Sequence, residues 1–323
     1  MVLILDEKAV SKLASLDSII ADVEIALKQY SEKTTLMPPR YQMDRPGTPG
    51  TLRVMLAALP ELNTAGLKVL TGSAGKRTPE GTYFVVMLFD QDGSLLCVMS
   101  ANRLTQLRTG AASAVATKYL ARKDSRNLGL LGAGVQGLGQ LEAISHVLRI
   151  QSGYVYDVKS EQAEKARRIA LDRFKVALEV ASSPDEVVQN VDVLITATTS
   201  NQALFDASAV NPGTHINAIG SNMPSRRELD VALFRRSKVF VDSIEQATKE
   251  SGDLIEAMSR GSYKVDEIGG EIGEVISGKK TGRTNAQQIT LFKSVGIAVE
   301  DVAAANTIYK SALRESVGIE IKL

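Results

Sequence analysis

Between residues 127 and 242 the chain alternates short apolar runs with helix-length stretches, a pattern that restricts the fold more than any other feature of the sequence. The runs are NLGLLG at 127–132, GYVYD at 153–157, ALEVA at 177–181, VDVLITA at 191–197, THINAIG at 214–220 and KVFVD at 238–242. A helix is expected after the first run to about Ile150, another through the 160s, and a short one at PDEVVQN. Strands joined by helical crossovers lie parallel, so a doubly wound parallel α/β sheet of Rossmann type is predicted. Residues 1–120 read differently. A helix from Leu16 to Tyr30 precedes TLRVMLAAL, GLKVLTG, TYFVVMLFD and SLLCVMS, which are separated by turn signals such as PGTPG and DQDG. That order predicts an α+β domain with a mainly antiparallel sheet. A last helix over 296–315, with Val299, Val302, Ala303 and Asn306 on one face, is expected to return to this first domain.

The first α/β turn carries three glycines, Gly132, Gly134 and Gly137, spaced G-x-G-x-x-G after a strand and at the opening of a helix. Gly132 is expected to make the turn, Gly134 to let the backbone approach a pyrophosphate, and Gly137 to allow close helix-on-strand packing. A helix N-terminus there offers N–H groups and the positive end of a dipole to an anion. The next strand ends on Asp157, twenty residues after Gly137. A carboxylate at that place accepts hydrogen bonds from ribose hydroxyls and repels a 2′-phosphate, so NAD(H) is the expected cofactor; Lys159, two residues on, keeps NADP(H) open.

Charge narrows the partners. Lys+Arg number 38 and Asp+Glu 37, for a formal charge of +1, which leaves no footprint for nucleic acid or an anionic membrane. A small neutral or zwitterionic substrate fits better. The opening MVLILDEKAV reaches charged residues too soon for a secretory core, and no apolar run is long enough to span a bilayer, so a cytoplasmic protein is expected. The single cysteine, Cys97, excludes an intrachain disulfide and reads as a small buried hydrophobe. His146 and His215 have no clustered carboxylates beside them, so no metal site is expected.

With the glycines placed, the chain resembles the ornithine cyclodeaminase/mu-crystallin family, which includes archaeal alanine dehydrogenases and ketimine reductases. The likeness is carried by MPPR at 37–40, TLRVM at 51–55, AGLKV at 65–69, RTGAASAVATKYLAR at 108–122, LGAGVQG at 131–137, HINAIGSN at 215–222 with RELD at 227–230, EIGEVISGK at 271–279 and LFKSVGIAVEDVAAA at 291–305. It implies a homodimer, a substrate-binding and dimerisation domain over 1–122 completed by 296–323, and a dinucleotide-binding domain over 123–295. It also implies that Arg53, Lys68 and Arg108 surround the substrate carboxylate and reacting carbon, while Thr109, Val135, Gln136, Thr198 and Ser294 line the dinucleotide. The loops at 37–50 and 73–80 are expected to cover the substrate. Two positions depart from the family pattern: Asn222 stands where cyclodeaminases and the archaeal alanine dehydrogenase carry an acid, and Ser73 lies near where they carry a histidine.

The resemblance implies hydride exchange between a nicotinamide and the α-carbon of an amino or imino acid. Arginines suit the carboxylate clamp, since a guanidinium binds a carboxylate by two parallel bonds and keeps its charge. Lys68, crowded by two arginines and shielded from water, would hold a proton that is mobile near neutral pH. Asn222 can hydrogen-bond but cannot take up a proton. Cyclising ornithine or deaminating alanine needs further proton transfers or an activated water, whereas reducing a preformed C=N needs one hydride and one proton. The expected activity is therefore NAD(P)H-dependent reduction of a ketimine such as Δ1-pyrroline-2-carboxylate. Alanine dehydrogenation, ornithine cyclodeamination and non-enzymatic binding of a small ligand remain alternatives.

Overall fold

The computed structural model describes residues 1–44, 50–73 and 82–322, without the side chains of Asp44, Gly50, Ser73 and Thr82. Along the chain, β1 (Val2–Leu5), α1 (Glu7–Leu13) and α2 (Leu16–Ser31) lead into β2 (Tyr41–Asp44), β3 (Gly50–Leu59), β4 (Thr64–Ser73), β5 (Thr82–Phe89) and β6 (Leu95–Ser100), followed by α3 (Asn102–Leu120). Strand and helix then alternate through β7 (Asn127–Leu131), α4 (Val135–Val147), β8 (Ser152–Tyr156), α5 (Ser160–Ile169), β9 (Ala177–Val180), α6 (Pro184–Val188), β10 (Val193–Thr196) and β11 (His215–Ala218). The remainder comprises α7 (Ala232–Arg236), β12 (Ser237–Val241), α8 (Ile244–Glu250), α9 (Gly252–Ser259), β13 (Gly270–Glu271), α10 (Ile272–Ile276), β14 (Ile289–Lys293), α11 (Ala298–Glu315) and β15 (Ile319–Ile321).

The chain divides into two compact units, Met1–Arg108 with Ile297–Leu323, and Thr109–Gly296. The division falls inside α3, fourteen residues before the boundary expected at 122. The physical reason is the small-residue half of that helix. A Cβ on Gly110 would lie 2.5 Å from the Gly139 carbonyl oxygen, and Thr117 accepts a 2.9 Å hydrogen bond from Asn217, so this half packs with the second unit. The last helix belongs to the first unit, and its burial extends well beyond the expected stripe, from Ala298 without a break to Ile308.

In the first unit the strands run β15-β1-β6-β5-β4-β3-β2, antiparallel except for β1 beside β6. Register sorts its side chains by face. Met55, Lys68, Val86 and Met99 are cross-strand neighbours on one face, and all are buried. The opposite face carries Leu52, Val54, Val69, Val85 and Met87, none of them buried, and Tyr41, Met43 and Tyr83 are exposed on it. Of the segments expected to cover the substrate, 45–49 and 74–80 lie outside the described residues, and Tyr41–Asp44 forms strand β2.

The second unit holds an all-parallel sheet in the order β13-β12-β14-β11-β10-β7-β8-β9. Strand order reverses direction about β7, and in open α/β sheets a ligand crevice opens at the carboxyl ends of the strands beside such a reversal. β10, β11 and β14 are buried at every position, as strands covered on both faces must be. Cys97 is buried in β6 as expected, and burial pushes its thiol up to about 12. His215 is enclosed in β11, where burial pulls its imidazole down to about 3, leaving it a neutral core residue. Among the described residues no helix is long and apolar enough to cross a membrane, and no group of acidic, cysteine and histidine side chains could hold a metal ion.

Candidate active site

In the second unit the three glycines separate into three physical roles. Gly132 has φ +95°, and a Cβ on it would lie 2.6 Å from the Ala197 carbonyl oxygen, so the turn needs glycine on both counts. Gly137 is closed by packing: its Cβ would meet the Gly132 carbonyl oxygen at 2.0 Å. Gly134 is the N-cap of α4 with ordinary extended backbone, no side-chain cap, and no atom within 4 Å of its would-be Cβ. The fold therefore does not require glycine at 134; a ligand that needs close backbone approach would. Val135 beside it is exposed, and Gln136 is half-buried.

Asp157 closes β8 and faces the same turn. Its Oδ2 accepts from the Ala133 N–H at 2.9 Å and its Oδ1 from the Lys159 N–H at 2.9 Å, so the carboxylate is aimed by the backbone on either side. Each oxygen keeps a further lone pair for a hydroxyl. The open cradle at Gly134, the helix N-terminus and the oriented carboxylate fit the pyrophosphate and a ribose of a dinucleotide. Thr198 follows β10: its N–H donates to Glu228 Oε1 at 2.6 Å, and its methyl lies 3.0 Å from where a Gly132 Cβ would be. The Ser294 hydroxyl donates to Asp242 Oδ2 at 2.8 Å and accepts from the Gly296 N–H. Thr109 is half-buried on α3, at the start of the second unit.

A second group of residues, built on Glu228 of the RELD block and on Asp253, holds the loop that carries Asn222. Glu228 is fully buried and accepts from Thr196 Oγ1, the Thr198 N–H and the Gly220 N–H, joining the ends of β10 and β11. Asp253 Oδ1 accepts the N–H groups of Glu228 and Leu229, and its Oδ2 lies 3.3 Å from the buried Lys293 ammonium. Burial, joined by the negative charge of Asp253, raises the Glu228 carboxyl above its ordinary value against the pull of Lys293. Asn222 itself is half-buried, with its N–H on the Gly220 carbonyl.

In the first unit, Lys68 and Arg108 come together on the buried side of the sheet. Lys68 is 1% exposed and donates to Asp301 Oδ1 at 2.7 Å. Arg108 donates from Nη1 to Glu300 Oε2 at 2.7 Å, and its Nε lies 2.8 Å from the same Asp301 Oδ1. Burial, with the Arg108 charge beside it, brings the Lys68 ammonium down to about 8 against the opposing pull of Asp301; Arg40 adds a weaker push the same way. Burial also opposes the charge of Arg108, but Asp301 and Glu300 outweigh it and hold that guanidinium above its usual value. Arg40, which ends the MPPR block, is thus a second cation acting on Lys68, beside Arg108. Arg53 shares the Lys68 face of the sheet, two residues from Met55, and is half-exposed with its Nε on Gln42 Oε1 at 2.6 Å.

The model of the Ornithine cyclodeaminase/mu-crystallin family matches residues 2–316. Alanine dehydrogenase of Archaeoglobus fulgidus is 39% identical over 323 residues, covering 99% of this chain and 98% of that protein. The structure of Thermococcus litoralis Delta(1)-pyrroline-2-carboxylate reductase with NADH and L-proline superposes with a TM-score of 0.95 at 35% identity, covering 99% of this chain and 100% of that one. An archaeal alanine dehydrogenase dimer with bound NAD gives 0.93 at 38% identity, with 99% of each chain covered.

Proposed function

Because the chain belongs to the ornithine cyclodeaminase/mu-crystallin family, as an NAD(P)-dependent amino- or imino-acid oxidoreductase of the pyrroline-2-carboxylate reductase or alanine dehydrogenase type, we propose that it reduces a cyclic ketimine such as Δ1-pyrroline-2-carboxylate to the amino acid. The observation that carries this reading is the buried Lys68 ammonium, brought to about 8 and set beside Arg108. A group with that value is protonated at neutral pH, yet gives up its proton far more readily than an ordinary lysine.

The dinucleotide, NADH in preference to NADPH on account of Asp157, supplies the hydride when bound. Arg108 and Arg53 hold the substrate carboxylate and thereby fix the carbon–nitrogen double bond relative to Lys68. Lys68 carries the proton that the nitrogen receives as its carbon is reduced, and the neutral amine left behind regains a proton from water. Asn222 positions the substrate through its amide and leaves water unactivated, because an amide takes up no proton. Gly132, Gly134, Val135, Gln136, Gly137, Thr109 and Thr198 line the dinucleotide in this reading, and Ser294 acts through Asp242 by shaping the segment at 294–296. The chain works as a homodimer: the sheet face with Tyr41, Met43, Tyr83 and Val85 exposed asks for cover, and the archaeal alanine dehydrogenase of similar structure is a dimer.

Alanine dehydrogenation is the second reading, favoured by the 39% identity to the Archaeoglobus enzyme. The test compares kcat/KM for Δ1-pyrroline-2-carboxylate with NADH, for alanine with NAD, and for ornithine by ammonia release. Imine reduction should dominate. Alanine oxidation matching or exceeding it would hand the assignment to the dehydrogenase.

A further inference from the structure

Among the described residues, Asp301 is the carboxylate that touches both Lys68 and Arg108. Its Oδ1 lies 2.7 Å from the Lys68 ammonium and 2.8 Å from Arg108 Nε, and both its neighbours and itself are almost wholly buried. Its other oxygen, Oδ2, accepts no hydrogen bond among the described residues, so this carboxylate is held by the two cations. Glu300, the adjacent residue, pairs instead with Arg108 Nη1. Both acids sit in the first turn of α11, at the positive end of the helix dipole. The groups facing Lys68 are therefore Asp301 from α11, Arg108 from α3, Arg40 from the segment after α2, and the uncharged Met55 and Val86 of the flanking strands, with the Phe84 ring 6.0 Å from the ammonium.

We propose that Asp301 is the positioning residue of the reaction: its shared oxygen keeps Lys68 charged and fixed beside Arg108, while Glu300 pairs with Arg108. The inference rests on the reading of Lys68 as proton donor and adds what sets that donor. Lys68 is crowded by two arginines and cut off from solvent, and among the described residues its opposing charge in contact is Asp301. Losing that charge lets burial and the arginines act unopposed, so the ammonium becomes neutral at lower pH. Losing Glu300 weakens the seating of Arg108 without touching Lys68.

The test uses Asp301→Asn and Glu300→Gln, each close to the native shape, in the full-length protein. Lysine labelled with 13C at Cε, with the Lys68 signal assigned by its loss in Lys68→Arg, reports the Lys68 titration directly and independently of turnover. The kcat/KM–pH profile for imine reduction is measured on the same proteins, and comparison with wild type removes the substrate's own titration. Asp301→Asn should shift the Lys68 titration downward by about 1–3 units, the range an adjacent opposite charge commands. The alkaline limb of its rate profile should move by the same amount, with activity recovering toward acidic pH. Glu300→Gln should raise substrate KM and leave both the titration and the limb in place. Asp301→Glu, which restores the charge in a longer side chain, should return the titration and the limb part of the way to wild type, supporting a charge role over mere packing. An unmoved Lys68 titration in Asp301→Asn overturns the proposal. A shifted titration with an unmoved rate limb would support the role of Asp301 on Lys68 and overturn Lys68 as the proton donor.

Discussion

Alanine placed at Gly134 and at Gly137 separates what the fold requires from what a dinucleotide requires. At Gly137 the new Cβ would lie 2.0 Å from the Gly132 carbonyl oxygen and 3.1 Å from a Leu130 methyl, so the helix must move off its strand. Overpacking of this kind costs about 1–3 kcal/mol, and a backbone partner that cannot rotate away puts the change at the upper end. At about 2–4 °C per kcal/mol for a domain of this size, Tm should fall by roughly 5–10 °C. At Gly134 the Cβ meets nothing within 4 Å and φ is −78°, a conformation open to any residue. Alanine is a poorer N-cap than glycine, by up to about 1 kcal/mol, but it also narrows the unfolded ensemble by about 0.4–1 kcal/mol. The two offset, and the Tm of the protein without cofactor should stay within about 2 °C of wild type.

Affinity should move the other way round. If a pyrophosphate approaches the backbone at Gly134, the methyl forces it outward, and a tenfold rise in the NADH Kd corresponds to about 1.4 kcal/mol. Saturating NADH at a hundred times Kd stabilises a protein by about 2.7 kcal/mol, so a tenfold weaker site loses about half of that shift. The assay is thermal unfolding with and without NADH, together with a fluorescence titration of NADH. Gly134→Ala binding NADH as tightly as wild type would refute the close approach of the pyrophosphate. Gly137→Ala with an unchanged Tm would refute the packing role.

Two further outcomes follow from the titrating and charged groups. Imine reduction should fall tenfold per pH unit above about 8, as Lys68 loses its proton, while oxidation of the amino acid should rise through the same pH; Lys68→Met should lower kcat far more than it weakens NADH binding, and parallel limbs for the two directions would sink the assignment. Asp157→Ser should narrow or reverse a preference for NADH over NADPH in kcat/KM, because it removes the charge held toward the glycine turn by the Ala133 and Lys159 N–H groups; a wild-type enzyme that prefers NADPH would contradict it.

The α/β unit was legible because its strands are short apolar runs closed by Gly, Asp or Pro, and because the glycine spacing and Asp157 fall where a first βα turn puts them. β14 was harder to see as a strand: ITLFK ends on a lysine, and only the structure shows that Lys293 is buried against the Ala218 carbonyl and Asp253. Lys68 raised the same difficulty. A lysine after AGL reads as a surface residue until cross-strand register sets it opposite Met55 and Val86 on the covered face. Glu300 and Asp301 read as ordinary first-turn acids of a helix, a place where they are normally solvated; nothing local reveals partners some two hundred residues earlier. Pair contacts across that separation leave no periodic trace, so the counter-ions were invisible while the elements bearing them were not. The compact units divide at 108 and not at the expected 122 for a related reason. Helix α3 is continuous, and which half packs where depends on glycine and alanine approaches that composition does not resolve.

The same non-local logic bears on why an amide at 222 is compatible with its surroundings. Gly220 and Ser221, the two residues before Asn222, are both pinned: the Gly220 N–H by Glu228 and the Ser221 hydroxyl between the Asp253 N–H and the Arg226 carbonyl. A Cβ on Gly220 would lie 2.3 Å from Glu228 Oε1, so the loop is drawn tightly over that carboxylate. Two buried acids, Glu228 and Asp253, both draw on the buried Lys293 ammonium, and the rise of the Glu228 carboxyl is consistent with incomplete compensation. A third carboxylate on the same loop would add like charge, raising the Glu228 value further and favouring its protonated form. Thr196 Oγ1 and the Thr198 and Gly220 N–H groups all donate to Glu228, and protonation would take acceptor capacity from the atoms that join β10 to β11. A neutral side chain at 222 therefore spares the hydrogen-bonded support beneath its own loop.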